Sequence, residues 1–216
     1  MQPRADPGGM EVGDPVEHLT EPAGSRGWGV FFDRDGTLNA HVRRGGRRTS
    51  ARHEQEWTAL PGVQECFGRL RAADALIGVV TNQPDLSRGL LDPATLDRLH
   101  RRLGRLDGVW VCPHTARQRC RCRKPSSVLL RRAAARLSVD LAGSYFVGDR
   151  PTDAQAALNA GCTAVLLTPR VPARPSLIAG LHYAPDLWEA ASTVLHLRRT
   201  GAARRENGPA SHKETV

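Results

Sequence analysis

Aromatic residues make up only 5% of this 216-residue chain, and just two of its 31 basic side chains are lysine. With so few rings, a core has to be assembled from Leu, Val and Ala. Long hydrophobic runs are also missing: "ALIGVV" and "TAVLL" are far too short to span a bilayer. No basic start followed by an apolar run opens the chain, so a secretory signal is not expected and the expected compartment is the cytoplasm. Cysteine is held to five, an odd number with three of them clustered at 112–122, which argues for metal or free thiols over a disulfide framework. No internal repeat is visible.

What is present describes a folded protein. Hydrophobic residues reach 40% and charged residues 25%, and the length suits one sizeable core. The formal charge of +9 invites a nucleic-acid reading, but its distribution weakens it. Residues 1–25 hold Asp6, Glu11, Asp14, Glu17 and Glu21 against Arg4 alone. The excess arginine sits at Arg43, Arg44, Arg47, Arg48 and Arg52, along 98–136, and in the tail. A small anionic ligand or a solvated basic surface accounts for this better than a nucleic acid does.

Residues 1–26, rich in Pro, Gly and acids, are expected to be a flexible leader, with Met10 an alternative start. Residues 200–216 are expected to be a disordered tail, leaving 27–199 as one domain. Within it, "GVFF" (29–32), "LIGVV" (76–80), "VWVC" (109–112), "SYFVG" (144–148) and "TAVLL" (163–167) are predicted buried strands. Helices are predicted from Pro61, from Asp92-Pro93 with its N-cap and first-turn proline, and over 126–137, 152–160 and 186–197. This alternation implies an α/β, doubly wound, mostly parallel sheet. The segment 39–60 reads as a long basic loop, room for a flap but not for a separate cap domain.

Ligands of such sheets bind beyond the carboxyl ends of the strands. Here those ends carry Asp33-Arg34-Asp35-Gly36-Thr37, Thr81-Asn82-Gln83 and Gly148-Asp149-Arg150, with Lys124-Pro125 opening a helix. Asp33 and Asp35 would repel each other and raise a pKa unless a cation intervened. A Mg²⁺ shared by Asp33 and Asp149 would resolve that repulsion and hold a phosphate oxygen. Lys124 and the Thr81 hydroxyl would stabilise charge on a transferring phosphoryl group. Asp33 can act as a nucleophile toward phosphorus, and Asp35 can protonate the leaving oxygen and later activate water. Each element alone is readily a turn or a strand end; the four together, in this order, are not readily accidental.

"FFDRDGTLN", "VVTNQ", "CRKP" and "FVGDRPTDAQAA" resemble the four motifs of the haloacid dehalogenase (HAD) superfamily phosphatases. The likeness covers roughly 28–170 and leans toward the subgroup that acts on D-glycero-D-manno-heptose 1,7-bisphosphate and histidinol phosphate. It implies an aspartyl-phosphate at Asp33, Asp35 as general acid and base, Thr81 and Lys124 as transition-state stabilisers, and Mg²⁺ on Asp33, the Asp35 carbonyl and Asp149. It also implies Asn82, Gln83, Arg88, Arg123 and Arg150 as substrate contacts lining one pocket, with Asp153 orienting other groups rather than binding metal. The chain departs from the subgroup at "AHVRRGGRRTS", where an acidic residue and an aromatic are usual, at Pro84-Asp85, and at Ser126-Ser127-Val128. The leading expectation is a monomeric phosphomonoesterase acting on a small sugar phosphate, a heptose bisphosphate first. Histidinol phosphate, a polynucleotide 3′-phosphate and a non-catalytic zinc-containing binding protein stand as alternatives.

Cys112, His114, Cys120 and Cys122 form C-x-H-x₅-C-x-C, four ligands with none to spare, which suits a closed structural zinc site. The resembled subgroup carries a Cys-His-Cys-Cys zinc loop at this point. Cys66 and Cys162 are expected in the core. His53, His100, His182 and His196 are expected to pack or face solvent, and Trp57 and Trp188 to make hydrophobic contacts.

Overall fold

The computed structural model describes residues 27–173 and 176–206, with side chains as far as 201; the expected leader (1–26) and residues 207–216 lie outside them. Six strands form one parallel sheet: β1 (Gly29–Phe32), β4 (Leu76–Asn82), β5 (Gly108–Cys112), β6 (Tyr145–Gly148), β7 (Thr163–Leu167) and β8 (Leu181–Ala184), in the order β5-β4-β1-β6-β7-β8. All four residues of β1 and of β6 are buried, the pattern of strands covered on both faces. Along β1, Val30 and Phe32 enter one core cluster and Phe31 the other, as a period of two requires.

Helices α1 (Val63–Arg71), α3 (Pro93–Arg101) and α6 (Leu187–Glu206) supply buried Leu70, Leu99, Leu187 and Val194 to the first face. Helices α4 (Val128–Leu137) and α5 (Pro151–Ala160) cover the second with Leu130, Ala133, Ala156 and Ala157. Both cores are dominated by aliphatic residues, in line with the scarcity of rings. Asp92 caps α3 as anticipated, its carboxylate accepting from the Thr95 N–H at 2.8 Å. Pro61 does not sit in the first turn of α1: Gly62 is its N-cap and the helix opens at Val63. α6 continues to Glu206, so the boundary expected at 199 falls inside a helix, where the Ala- and Arg-rich sequence favours helical backbone. Among the described residues no helix is long and apolar enough to cross a membrane.

Among the elements not anticipated are an edge strand and a hairpin. β8 is short and carries His182 and Tyr183 half-buried, so it shows no continuous apolar run. The 39–60 segment holds an antiparallel hairpin, β2 (Val42–Arg44) and β3 (Arg47–Thr49), turned by Gly45 and Gly46 at φ 55° and 74°. Two successive positive φ angles are what a tight two-residue hairpin turn demands, and glycine meets them without strain.

One close approach fixes two glycines. Gly78 and Gly108 lie side by side across β4 and β5, under the Phe31 and Trp110 rings, which meet edge to face with centroids 6.2 Å apart. A Cβ on Gly108 would stand 2.3 Å from Trp110, whereas one on exposed Gly68, in the middle of α1, would meet nothing. Gly108→Ala should therefore destabilise the protein by about 1–3 kcal/mol through overpacking. Gly68→Ala should stabilise it by about 0.5–1 kcal/mol through helix propensity. Denaturant unfolding of both variants checks this, and the same sign for the two would refute it.

Candidate active site

β1 lies between β4 and β6, so the chain departs from it toward opposite edges, and the crevice at its carboxyl end is the natural ligand position. Asp33 follows β1 directly, its N–H bonded to the Val147 carbonyl at 2.9 Å. Thr81 and Asn82 end β4, Asp149 follows β6, and Lys124 arrives on the loop before α4. A cavity of about 280 Å³ opens here, lined among others by Asp33, Asp35, Asn82, Arg123, Lys124 and Arg150.

Lys124 is 4% exposed, and its ammonium has three oxygens at 2.8 Å: Asp33 Oδ1, Asp153 Oδ1 and the Val80 carbonyl. The Val80 carbonyl accepts a hydrogen bond from the ammonium, and the two carboxylates are its ion-pair partners. Burial works against the charge, but Asp33 and Asp153 outweigh it and raise the lysine's pKa. Asp33 is also pushed up, by burial first and then by its carboxylate neighbours, with Lys124 opposing.

Asp35 sits in the opposite electrostatic setting. Burial would raise it, yet Arg34, Gln83 and Asn39 bring it down to about 2. Fully buried Arg34 points one nitrogen at both Asp35 oxygens, 3.0 Å from each, and at Gln83 Oε1 at 3.1 Å. Asn39 Nδ2 (3.0 Å), Gln83 Nε2 (2.7 Å) and Ser50 Oγ (2.9 Å) donate to the same carboxylate. Asp35 therefore rests as a held anion.

The substrate contacts expected from sequence divide. Asn82, Arg88, Arg123 and Arg150 line the cavity, but Gln83 does not. Gln83 is fully buried and bridges Asp35 and the Thr81 hydroxyl, which accepts from it at 2.9 Å. Its side chain turns inward because Arg34 and Asp35 offer a buried amide both an acceptor and a donor. Arg88 is committed in part to Asp85 at 2.9 Å, and Arg123 donates to the His114 carbonyl at 3.0 Å. Asn82 clasps the Lys124 peptide from both sides, accepting from its N–H at 3.1 Å and donating to its carbonyl at 3.4 Å.

Sequence reading missed His41, whose Nε2 lies 3.2 Å from Asp149 Oδ2, and the roles of Arg34, Ser50 and Asp85. Arg34 stood in plain view inside the motif, but nothing in a one-dimensional pattern marks a fully buried arginine. His41 and Ser50 reach the site only because the hairpin folds back.

Two groups of side chains fit metal ions. Asp33, Asp149 and Asp153 bring carboxylate oxygens within 4.8 Å of one another, and Asp149 Oδ1 is buried with no partner. Oxygen donors, one of them without a partner, suit a hard dication such as Mg²⁺. Asp153 belongs to this cluster as well as to the Lys124 ion pair. In the second group, Cys112 Sγ lies 3.6 Å from Cys120 Sγ, 3.4 Å from Cys122 Sγ and 3.7 Å from His114 Nδ1, and Cys122 Sγ lies 3.3 Å from that nitrogen. Tetrahedral bonds of about 2.3 Å to sulfur and about 2.0–2.1 Å to nitrogen require ligand separations of roughly 3.5–3.8 Å. The edges at 3.6 and 3.7 Å fall in that range and those at 3.3 and 3.4 Å lie just below it, so the cluster is close to the size of a zinc tetrahedron. Burial raises the Cys112 thiol, so a metal is what would ionise it. Burial also acts on Cys120, but the backbone N–H groups of Cys122 and Arg123 prevail and lower it. Among the described residues no other histidine belongs to such a group; His100, for one, is 4% exposed and burial depresses its pKa to about 3.

A family model described as "HAD-hyrolase-like" matches residues 121–190. The D-glycero-beta-D-manno-heptose-1,7-bisphosphate 7-phosphatase of Bordetella bronchiseptica is 41% identical over 141 residues, 62% of this chain and 76% of that protein. The enzyme of the same name from Pseudomonas aeruginosa is 34% identical over 146 residues, 64% of this chain and 79% of its own. A crystal structure of the B. bronchiseptica phosphatase, complexed with magnesium and phosphate, superposes with a TM-score of 0.67 at 36% identity, covering 78% of this chain and 98% of that one.

Gly36 adopts φ +89°, and a Cβ there would lie 2.4 Å from both Asp149 Oδ2 and His41 Nε2. Gly36→Ala should displace Asp149 and weaken Mg²⁺ binding at least about tenfold by calorimetry, beyond the roughly 1–2 kcal/mol of backbone strain expected in a melt. Wild-type Mg²⁺ affinity in that variant would show that the space is not needed.

Proposed function

Because the chain belongs to the HAD-superfamily phosphatases, in the family of the D-glycero-beta-D-manno-heptose-1,7-bisphosphate 7-phosphatases, we propose that it hydrolyses a sugar phosphomonoester through an aspartyl-phosphate at Asp33, with a heptose 1,7-bisphosphate as its first candidate substrate. The observation that carries this reading is the buried Lys124 ammonium held between Asp33 and Asp153 beside an unpartnered Asp149 oxygen. That arrangement has a cation for a phosphate oxygen, a nucleophile next to it and a place for a second cation.

Mg²⁺, held by the Asp33 and Asp149 carboxylates and the Asp35 carbonyl, would supply charge neutralisation on the phosphate oxygens. A carboxylate oxygen of Asp33 attacks phosphorus, and the bond from phosphorus to the sugar oxygen breaks as the bond to Asp33 forms. Lys124 and the Thr81 hydroxyl stabilise the charge spread over the phosphoryl oxygens. Asp35 protonates the departing sugar oxygen. Its low pKa means that it starts ionised, so the proton arrives with the substrate's phosphate, whose own second pKa lies near 6. In the second half Asp35 takes a proton from water, which attacks the aspartyl-phosphate, releases inorganic phosphate and restores Asp33. Arg34, Gln83, Asn39 and Ser50 hold Asp35 in position; Asn82, Arg88, Arg123 and Arg150 face the substrate.

The Cys112–His114–Cys120–Cys122 cluster is proposed to hold a structural zinc, since its four ligands leave no open position for catalysis. The loop it ties feeds directly into Arg123 and Lys124.

Asp33→Asn should reduce phosphate release from the heptose bisphosphate by at least about a thousandfold with the fold intact; undiminished turnover would rule out the covalent route. Metal analysis of the protein purified without added zinc should find about one zinc per chain. Cys120→Ser should lose that zinc, with melting temperature and activity falling together. A zinc-free, fully stable wild-type protein would contradict the structural site.

A further inference from the structure

The arginines around the cavity are sorted by their partners. Arg44 is spent on Glu56 and on the Thr49 hydroxyl and Ser50 carbonyl. Arg52 and Arg88 grip the two oxygens of buried Asp85, at 2.7 and 2.9 Å. Arg48, Arg123 and Arg150 line the same cavity, and among the described residues none of them has a carboxylate within ion-pair distance. The floor is different. There Lys124 already answers Asp33 and Asp153, and Arg34 answers Asp35. The unneutralised positive charge is thus confined to the rim.

Arg48 is distinctive because of where the hairpin puts it. It is exposed, and in the β2–β3 register it stands directly opposite Arg43. Like charges directly opposed across an antiparallel pair are destabilising, and an anion placed between them removes the cost. Arg47, next in sequence, lies on the other face with Arg44 and does not line the cavity.

We propose that Arg48 is a specificity-determining residue that binds the second, unhydrolysed phosphate of a sugar bisphosphate, acting with Arg123 and Arg150 at the rim. This rests on the phosphatase reading above and adds to it the selection of bisphosphates over monophosphates by the hairpin. A guanidinium presents a planar fork of donors that matches phosphate oxygens in pairs. The transferring phosphate is bound at the buried floor, so a rim arginine is free for a group that stays on the product.

The test compares D-glycero-beta-D-manno-heptose 1,7-bisphosphate with the corresponding 7-phosphate. Wild-type protein should favour the bisphosphate in kcat/KM. Arg48→Ala should lower the ratio of the two kcat/KM values about tenfold, through KM, as loss of one charge-assisted contact does. Arg47→Ala, with the same change in net charge, should leave the ratio as it was. An unchanged ratio in Arg48→Ala, or an equal fall with Arg47→Ala, overturns the proposal. Calorimetry on the Asp33→Asn background gives a second readout independent of turnover: adding Arg48→Ala should weaken bisphosphate binding about tenfold. If wild-type protein hydrolyses neither compound, the phosphatase reading fails by itself. Calorimetry then still decides the role of Arg48, which stands if bisphosphate binding depends on it and falls if it does not.

Discussion

Three oxygens converge on the Lys124 ammonium, and they come from three different places in the chain: the turn after β1, the first turn of α5, and the backbone of β4. A buried charge of either sign is costly unless it is paired and fully hydrogen-bonded. Here each charge is tolerable only because the others are present. Removing one partner of such a cluster typically costs about 3–5 kcal/mol, because the remaining charges are left buried and uncompensated. The strand order, the start of α5 and the loop before α4 are therefore coupled at one point. The mutual repulsion of Asp33, Asp149 and Asp153 is only partly answered by a single ammonium, which is why the cluster suits a dication as well.

Asp35 shows the same economy with a different result. It lies two residues from Asp33, is equally buried, and yet its pKa moves down where that of Asp33 moves up. The difference is the number of donors. Asp33 shares one ammonium with Asp153, whereas Asp35 receives Arg34, Asn39, Gln83 and Ser50 for itself. Neighbouring carboxylates pushed apart in this way are suited to separate parts in one reaction. Ser50 comes from the strand-end of the hairpin, so the segment that stands in place of a cap domain also helps to set the proposed acid and base.

The polar strand ends were legible in sequence because the chemistry is written in short runs whose positions follow from strand periodicity. Asp33, Thr81, Lys124 and Asp149 come together as their placement at strand ends and a helix start required. The four candidate zinc ligands were legible from spacing and from the rarity of cysteine elsewhere. What sequence could not supply was the direction of neighbouring side chains at a strand's end. Asn82 and Gln83 are adjacent, but one faces the cavity and the other turns under it, a choice made by the buried guanidinium of Arg34. Nor could it show which arginines of the 43–52 segment are neutralised, because Glu56 and Asp85 reach them through the folded hairpin and α2 (Pro84–Ser87). Long-range pairing of exposed charges leaves no periodic trace.

The scarcity of lysine acquires a physical meaning at this point. Between Cys112 and Lys124 the chain has only one short turn of helix, at Ala116–Gln118, and an irregular path, so its end could wander. It is fixed instead by the mutual contacts of the Cys112, His114, Cys120 and Cys122 side chains, by the bond from Arg123 to the His114 carbonyl, and by the clasp of Asn82 on the Lys124 peptide. That fixing matters because the ammonium must meet three oxygens at 2.8 Å from different directions at once. A guanidinium cannot do this: its donors lie in one plane and point in fixed pairs. At the rim, where a phosphate can be met by a planar fork, the chain uses arginine. At the floor, where one compact charge must be shared three ways, it keeps a lysine, although nearly all its other positive charge is carried by arginine.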